Sequence, residues 1–312
     1  MTENTPALLE IRDMSVTFRM YSGGLQQSDV RVVSDLSVSV RAGEVLAVAG
    51  ASGSGKSVLA AAVLGILPDT ACVQGHMYYA GQELTAARQA VLRGTEIALV
   101  PQSVAFLDPL LKVKDQLYVG RRKRKEAENW KRIFARLGLS EQTAQLYPFE
   151  LSGGMARRVL AALALLTDAR LIIADEPTPG MSAEQAAETM RLFREMAENG
   201  RAVMLITHDI DTAFDHADRV AVLYAGTAVE VMPAGDFRRG PDALRHPYSR
   251  ALWRALPQHG FCPAAGLQPP AENLPEGCLF APRCPLCTAV CRTAPPPMRE
   301  VRGGEVRCYY GA

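Results

Sequence analysis

The 312-residue sequence predicts an α/β fold with a largely parallel sheet, and three observations support that expectation. Short apolar runs at 45–49, 97–100, 171–174, 202–206 and 220–224 have the length of strands buried on both faces. Helical patterns lie between them, one starting at Ser57 and one amphipathic over 183–198, as crossovers between parallel strands require. The stretch 113–166 reads as mostly helical, so one helical insertion is expected to interrupt the alternation. Two longer extended segments, 8–17 and 30–40, precede the first buried strand.

Composition narrows the function classes. Nearly half the residues are apolar (48%), and 34 basic residues balance 33 acidic ones for a net charge of +1. That leaves no basic excess to hold a phosphate backbone, so nucleic acid is not expected as a partner. The start lacks a basic segment followed by an apolar one, and the longest apolar stretches, 58–67 and 159–166, are too short to span a bilayer. A cytoplasmic chain that forms no pore of its own is expected. Of the seven cysteines, Cys72 stands alone, whereas Cys262, Cys278, Cys284, Cys287, Cys291 and Cys308 crowd the last fifth. From Pro257 onward the chain is rich in Pro, Cys and Arg and poor in periodicity, which predicts a separate C-terminal module held by something other than a large apolar core. In a cytoplasmic protein a metal suits that role better than disulfides.

The strand at 45–49 runs into Gly50-Ala51-Ser52-Gly53-Ser54-Gly55-Lys56-Ser57, a G-x-x-x-x-G-K-S loop opening a helix. The glycines let backbone N–H groups wrap phosphates, and the helix N-terminus adds positive potential. Lys56 can reach the β and γ phosphates, and Ser57 can ligate magnesium. ATP or GTP binding follows. Downstream, Leu151-Ser152-Gly153-Gly154-Met155 begins an apolar helix, and the strand at 171–174 ends in Asp175-Glu176. Asp175 can join the Mg2+ shell while Glu176 reaches the attacking water. Ser152, Gly153 and Gly154 at a helix start form a second phosphate-binding surface, which one chain cannot easily fold around the same nucleotide. A head-to-tail dimer resolves the conflict.

Over roughly its first 235 residues the sequence resembles the ABC ATPase family. Besides the three motifs above, Gln102 follows a strand as the family's Q-loop glutamine does, and His208 matches its switch histidine. Phe18 resembles the aromatic that stacks on adenine, with Tyr21 as the other candidate. The resemblance implies a P-loop NTPase (RecA-like) core with an antiparallel β subdomain in residues 1–235, and a helical subdomain at about 103–167 that docks a membrane subunit. It implies a composite ATP site of Lys56, Ser57, Gln102, Asp175, Glu176 and His208 from one chain and the Ser152 signature from another, with Ser57, Gln102 and Asp175 around Mg2+. The basic run 121–125 falls inside the insertion and reads as a solvated helix face. One departure stands out: Ser182 occupies the position where the family places an Asp at the dimer interface, which suggests an asymmetric dimer with a different partner chain.

The tail resembles the C-terminal extension of oligopeptide, dipeptide and nickel importer ATPases through His246-Pro247-Tyr248, the segment from Gly277 to Pro285 and Cys308. This assigns residues 236–312 to that extension. It implies an importer of peptides or of nickel or another chelated metal, working on the cytoplasmic face of the inner membrane. Its partners would be two transmembrane permease subunits, a second related ATPase and an extracytoplasmic binding protein. An ABC-type ATPase acting on DNA with a zinc module is the alternative. Cys278, Cys284, Cys291 and Cys308 match the extension's C-x5-C-x6-C-x16-C pattern, with Cys287 as an additional thiol. Four thiolates suit zinc or an iron–sulfur cluster; the resemblance favours [4Fe-4S], and these spacings differ from the C-x2-C pairs of zinc ribbons.

Overall fold

A computed structural model describes residues 6–22, 26–117 and 129–311. Two long strands, β1 (Ala7–Ser22) and β2 (Gln26–Arg41), open the chain as an antiparallel pair. The fully buried β3 (Val45–Gly50) then leads through the glycine loop into helix α1 (Lys56–Leu64). A hairpin of β4 (Ala71–Tyr79) and β5 (Gln82–Glu83) follows, and α2 (Ala86–Leu92) leads to β6 (Ile97–Val100). The insertion holds α3 (Val113–Gln116), α4 (Asn129–Arg136) and α5 (Gly153–Leu165). Strands and helices then alternate as β7 (Leu171–Asp175), α6 (Ala183–Glu198), β8 (Ala202–Ile206), α7 (Ile210–His216) and β9 (Arg219–Tyr224). After β10 (Thr227–Pro233) come α8 (Ala234–Arg238), α9 (Pro247–Arg254), α10 (Ala289–Thr293) and the hairpin β11 (Arg299–Val301) and β12 (Gly304–Val306).

The main sheet has the order β11-β12-β10-β9-β3-β8-β7-β6, parallel from β9 to β6 and antiparallel beyond β9. Alternation along β3 explains why the strand is apolar throughout: Val45, Ala47 and Ala49 face one core, and Leu46 and Val48 face the other. The second core lies under the smaller antiparallel sheet, ordered β2-β1-β4-β5, together with α1. The first lies under α5, α6 and the insertion.

One expectation holds and one changes. The described part of 113–166 is mostly helical, broken into short pieces, with Gly138 in a left-handed conformation just after α4 and Pro148 opening a short 3-10 helix before α5. The basic run 121–125 lies outside the described residues. The C-terminal segment, in turn, is not a separate body. Strand β12 pairs with β10, Phe280 packs into the first core, and the 235/236 boundary falls inside α8. Three-residue strands are too short to show periodicity, which is why they read as irregular chain.

One buried charge cluster joins this tail to the sheet. Glu230, in β10, has no solvent exposure and accepts from the backbone N–H groups of Arg245 (2.8 Å) and His246 (2.9 Å) as well as from the Arg245 guanidinium (3.3 Å). Arg245 also donates to Asp236 (2.8 Å) and to the carbonyls of Val301 and Arg302 at the terminal hairpin turn. Removing the guanidinium leaves the Glu230 carboxylate in apolar surroundings without its cation, while Asp236 keeps only Arg239 (3.0 Å). We predict that Arg245→Met costs about 3–5 kcal/mol, read as a lowered urea midpoint. Proteolysis should begin in the C-terminal hairpin; an unchanged midpoint would show that the cluster contributes nothing net.

Candidate functional site

The parallel strands end at one edge, and four of the predicted nucleotide motifs lie at or just beyond a strand end there. Val48 of β3 pairs with Ile206 of β8, Asp175 of β7 with Ile206, and Val100 of β6 with Ala174. This register places the glycine loop, Asp175-Glu176, His208 and Gln102 side by side at the carboxyl ends of the strands, where open α/β sheets bind ligands.

The glycine loop is shaped by close backbone approach. Gly53 and Gly55 adopt left-handed φ values of +76° and +91°, and a Cβ on Gly50 would collide with the Leu223 carbonyl. The turn after β9 braces the loop, since Gly226 N–H donates to the Ser54 carbonyl (3.2 Å). Ser52, Gly53 and Ser57 are exposed, whereas Ser54, Gly55 and Lys56 are buried. The Lys56 ammonium donates to the carbonyls of Gly50 (2.8 Å) and Ala51 (3.0 Å). Burial lowers its pKa, opposed by the charges of Glu176 and Asp175.

Facing this cation is an acidic pair with two different environments. Burial raises the Asp175 pKa; the Ser57 hydroxyl, which donates to it, and Lys56 oppose the rise, and the Glu176 charge adds to it. Asp175 Oδ1 and the Ser54 hydroxyl are both buried without a protein partner. Glu176 is also buried, with φ at +49°, a strained backbone for a non-glycine residue. Its Oε2 accepts from His208 Nδ1 at 2.7 Å and from the Thr207 hydroxyl at 3.4 Å. A carboxylate only accepts, so Nδ1 carries the hydrogen and Nε2 is left facing outward on an exposed ring.

The signature forms the start of α5. Ser152 caps the helix, its hydroxyl accepting from Met155 N–H (3.2 Å), and Ser152 and Gly153 are exposed. Gln102 is exposed too, and its carbonyl accepts from Arg157 (3.1 Å), which also donates to the Glu176 carbonyl (3.4 Å). Sequence reading missed this bridge from the signature helix to the loops of Gln102 and Glu176; its one signal was the adjacent pair Arg157-Arg158 on an otherwise apolar helix. Ser182 caps α6 in a reciprocal pair with Gln185, both contacts at 3.3 Å. Phe18 lies on β1 opposite Val30 and Ala71, half-buried against the second core. The Tyr21 side chain lies outside the described part.

Cys278, Cys284, Cys291 and Cys308 line one largely enclosed cavity with Phe280, His246 and Tyr309, and Cys287 is not among its lining residues. Burial pushes the Cys278 thiol up to about 11, with the other three thiols adding, and raises Cys284 as well. Among the described residues no group of three His, Cys, Asp or Glu side chains is gathered closely enough to hold a metal ion. That geometry favours neither zinc nor an iron–sulfur cluster over the other.

Residues 33–179 match the ABC transporter family, and residues 229–291 match the oligopeptide/dipeptide transporter C-terminal region. The oligopeptide transport ATP-binding protein OppD of Salmonella typhimurium is 36% identical, over 97% of this chain and 93% of that protein. The dipeptide transport ATP-binding protein DppD of Escherichia coli is 33% identical, over 97% of both chains. In fold, the dimeric post-hydrolysis structure of the ATP-binding cassette MJ0796 with ADP and Pi matches 72% of this chain with a TM-score of 0.63 at 24% identity. None of these likenesses supports an ATPase acting on DNA. Four nucleotide motifs at the strand ends and a fifth at the start of α5, the tail that completes the sheet and the full-length likeness together place the chain in the oligopeptide/dipeptide transport family of ABC ATP-binding proteins.

Proposed function

We propose that this chain binds and hydrolyses ATP with Mg2+ to power peptide import, as the peripheral ATPase of a membrane-bound importer. The observation that supports it best is the convergence of Lys56, the half-satisfied Asp175 and the Glu176–His208 pair at one sheet edge. The donor set suits Mg2+: Asp175 has an unpartnered buried oxygen beside the Ser57 hydroxyl, with Gln102 at the next strand end. Bound there, the ion would neutralise charge on the β and γ phosphates. Glu176 would take the proton of the attacking water while His208 holds its carboxylate in place, Lys56 and the glycine loop would hold the phosphates, and Phe18 would stack on the base.

The exposed Ser152 and Gly153 would complete the site of a second ATPase chain. Ser182, neutral and engaged in capping, supports a related but different partner. The insertion exposes Val104, Phe106, Leu110 and Phe149, apolar area suited to docking a permease subunit. The relatives named for oligopeptides and dipeptides support peptide over nickel as cargo, received from an extracytoplasmic binding protein by the two permease subunits.

Four thiols gather around one enclosed apolar space in the tail, and on the extension's cysteine pattern we assign them a structural [4Fe-4S] cluster, for which this cavity of about 10 Å³ would have to widen. Cys278, Cys284, Cys291 and Cys308 would be its ligands, and binding would draw off the protons that burial otherwise retains on Cys278 and Cys284.

Three outcomes are expected. Glu176→Gln should keep ATP binding and lower steady-state hydrolysis by about a hundredfold or more; near-normal turnover would remove Glu176 from its role. Phe106→Asp and Phe149→Asp should weaken co-purification with the permease subunits and abolish labelled-peptide uptake, with nucleotide affinity unchanged. Elemental analysis of anaerobically purified protein should find about four irons per chain; zinc without iron would overturn the cluster assignment.

A further inference from the structure

The tail reaches the nucleotide loop through one side chain. Tyr248 lies in the first turn of α9, and its hydroxyl accepts from the backbone N–H of Ala51, the second residue of the glycine loop, at 3.3 Å. The two residues are 197 positions apart. Tyr248 is buried, and its ring packs on Tyr224 (centroids 4.5 Å apart) and Phe280 (5.4 Å), which themselves meet edge to face at 5.2 Å. Tyr224 ends the strand whose following turn supplies Gly226 N–H to Ser54. Phe280 lines the cysteine cavity. On the outer side of the loop, Gln268 donates to the Gly53 carbonyl at 3.3 Å.

The local sequence explains how Tyr248 is aimed. His246 is fully buried; burial, with the Arg250 charge adding, pushes its pKa down to about 3, so the ring is neutral. A neutral imidazole can accept through Nδ1, and it does so from Tyr248 N–H at 3.0 Å, capping α9. Pro247 occupies the first helical position, where its missing N–H costs nothing. The anchor of His246 is Glu230, which accepts its backbone N–H.

We propose that Tyr248 is a positioning residue for ATP binding: it sets the entry of the glycine loop from the C-terminal extension, and Phe280 makes that setting depend on the packing of the cysteine cavity. The proposal rests on the ATP-site reading above. Glycine-rich loops hold phosphates by backbone N–H groups, so a small tilt at the loop entry degrades several contacts together. Because Tyr248 lies outside the reacting groups, its effect belongs in nucleotide affinity and not in the chemical step.

The test uses the full-length chain assembled with its partner subunits. Tyr248→Phe keeps the ring and removes the hydroxyl; it should weaken binding of a fluorescent non-hydrolysable ATP analogue about three- to tenfold, and raise KM for ATP with kcat within about twofold. Phe280→Leu should weaken binding in the wild-type background and add little to Tyr248→Phe, since both act through one contact. Gln268→Ala probes the same loop from its exposed side without entering the core, and should shift KM in the same direction. Unchanged affinity in both Tyr248→Phe and Gln268→Ala would overturn the proposal. So would a fall in kcat at constant KM, the mark of a smaller folded fraction, or losses that multiply in the double variant. Failure of the wild-type chain itself to bind the analogue would instead remove the ATP-site reading on which the proposal stands.

Discussion

A carboxylate without access to water, Glu230 at the centre of β10, is the constraint from which the C-terminal half is organised. A charge there is tolerable only when its lone pairs are answered, and two successive backbone N–H groups and a guanidinium answer them. The answer fixes residues 245 and 246 against the sheet. From that anchor α9 starts in one direction only, and Arg245 spreads over the backbone of the terminal hairpin. A Cβ on Gly304 would lie 2.8 Å from the guanidinium carbon, so the hairpin can lie this close only because glycine stands there. The tail thus belongs to the sheet by electrostatic necessity as much as by apolar contact.

The nucleotide edge shows the complementary situation, polar groups left unanswered. Lys56 and Asp175 are both desolvated, the first with its pKa lowered and the second with its pKa raised. Asp175 Oδ1 and Ser54 Oγ have no protein partner. Such a cluster costs stability in the isolated chain and recovers it when phosphate and a divalent cation arrive, so folding free energy is held at the place where binding can use it. The strained φ of Glu176 belongs to the same pattern.

Much of this was legible in the sequence because its signals are local. Strands β3, β6, β7, β8 and β9 are unbroken apolar runs, and the glycine loop, Gln102, Asp175-Glu176 and His208 each follow one of them within two residues. Strand β10 escaped notice because Glu230 interrupts its apolar run, and a buried acid cannot be told from an exposed one until its partners are known. The hairpin of β4 and β5 was hidden by polar residues on a mostly exposed strand, and β11 and β12 by their length. The contacts of Arg157 with Gln102 and Glu176, and of Tyr248 with Ala51, join residues that only the completed sheet brings together. The cysteine set and its separation from Cys287 were both visible as spacing, whereas the packing of His246, Phe280 and Tyr309 around the four thiols is a property of the cavity.

Gly154 in the signature turn has a mechanical consequence. A Cβ there would fall 2.8 Å from the carbonyl oxygen of Gly180, so the signature turn and the loop leaving Glu176 meet backbone to backbone. Two stretches of main chain in hard contact have no compliant side chain between them to absorb displacement. In the proposed head-to-tail pair, the signature would face the nucleotide of one site and the loop after Glu176 would belong to the other. A shift at either site would then be felt at its neighbour as a push, even where Ser182 provides no charge to report it.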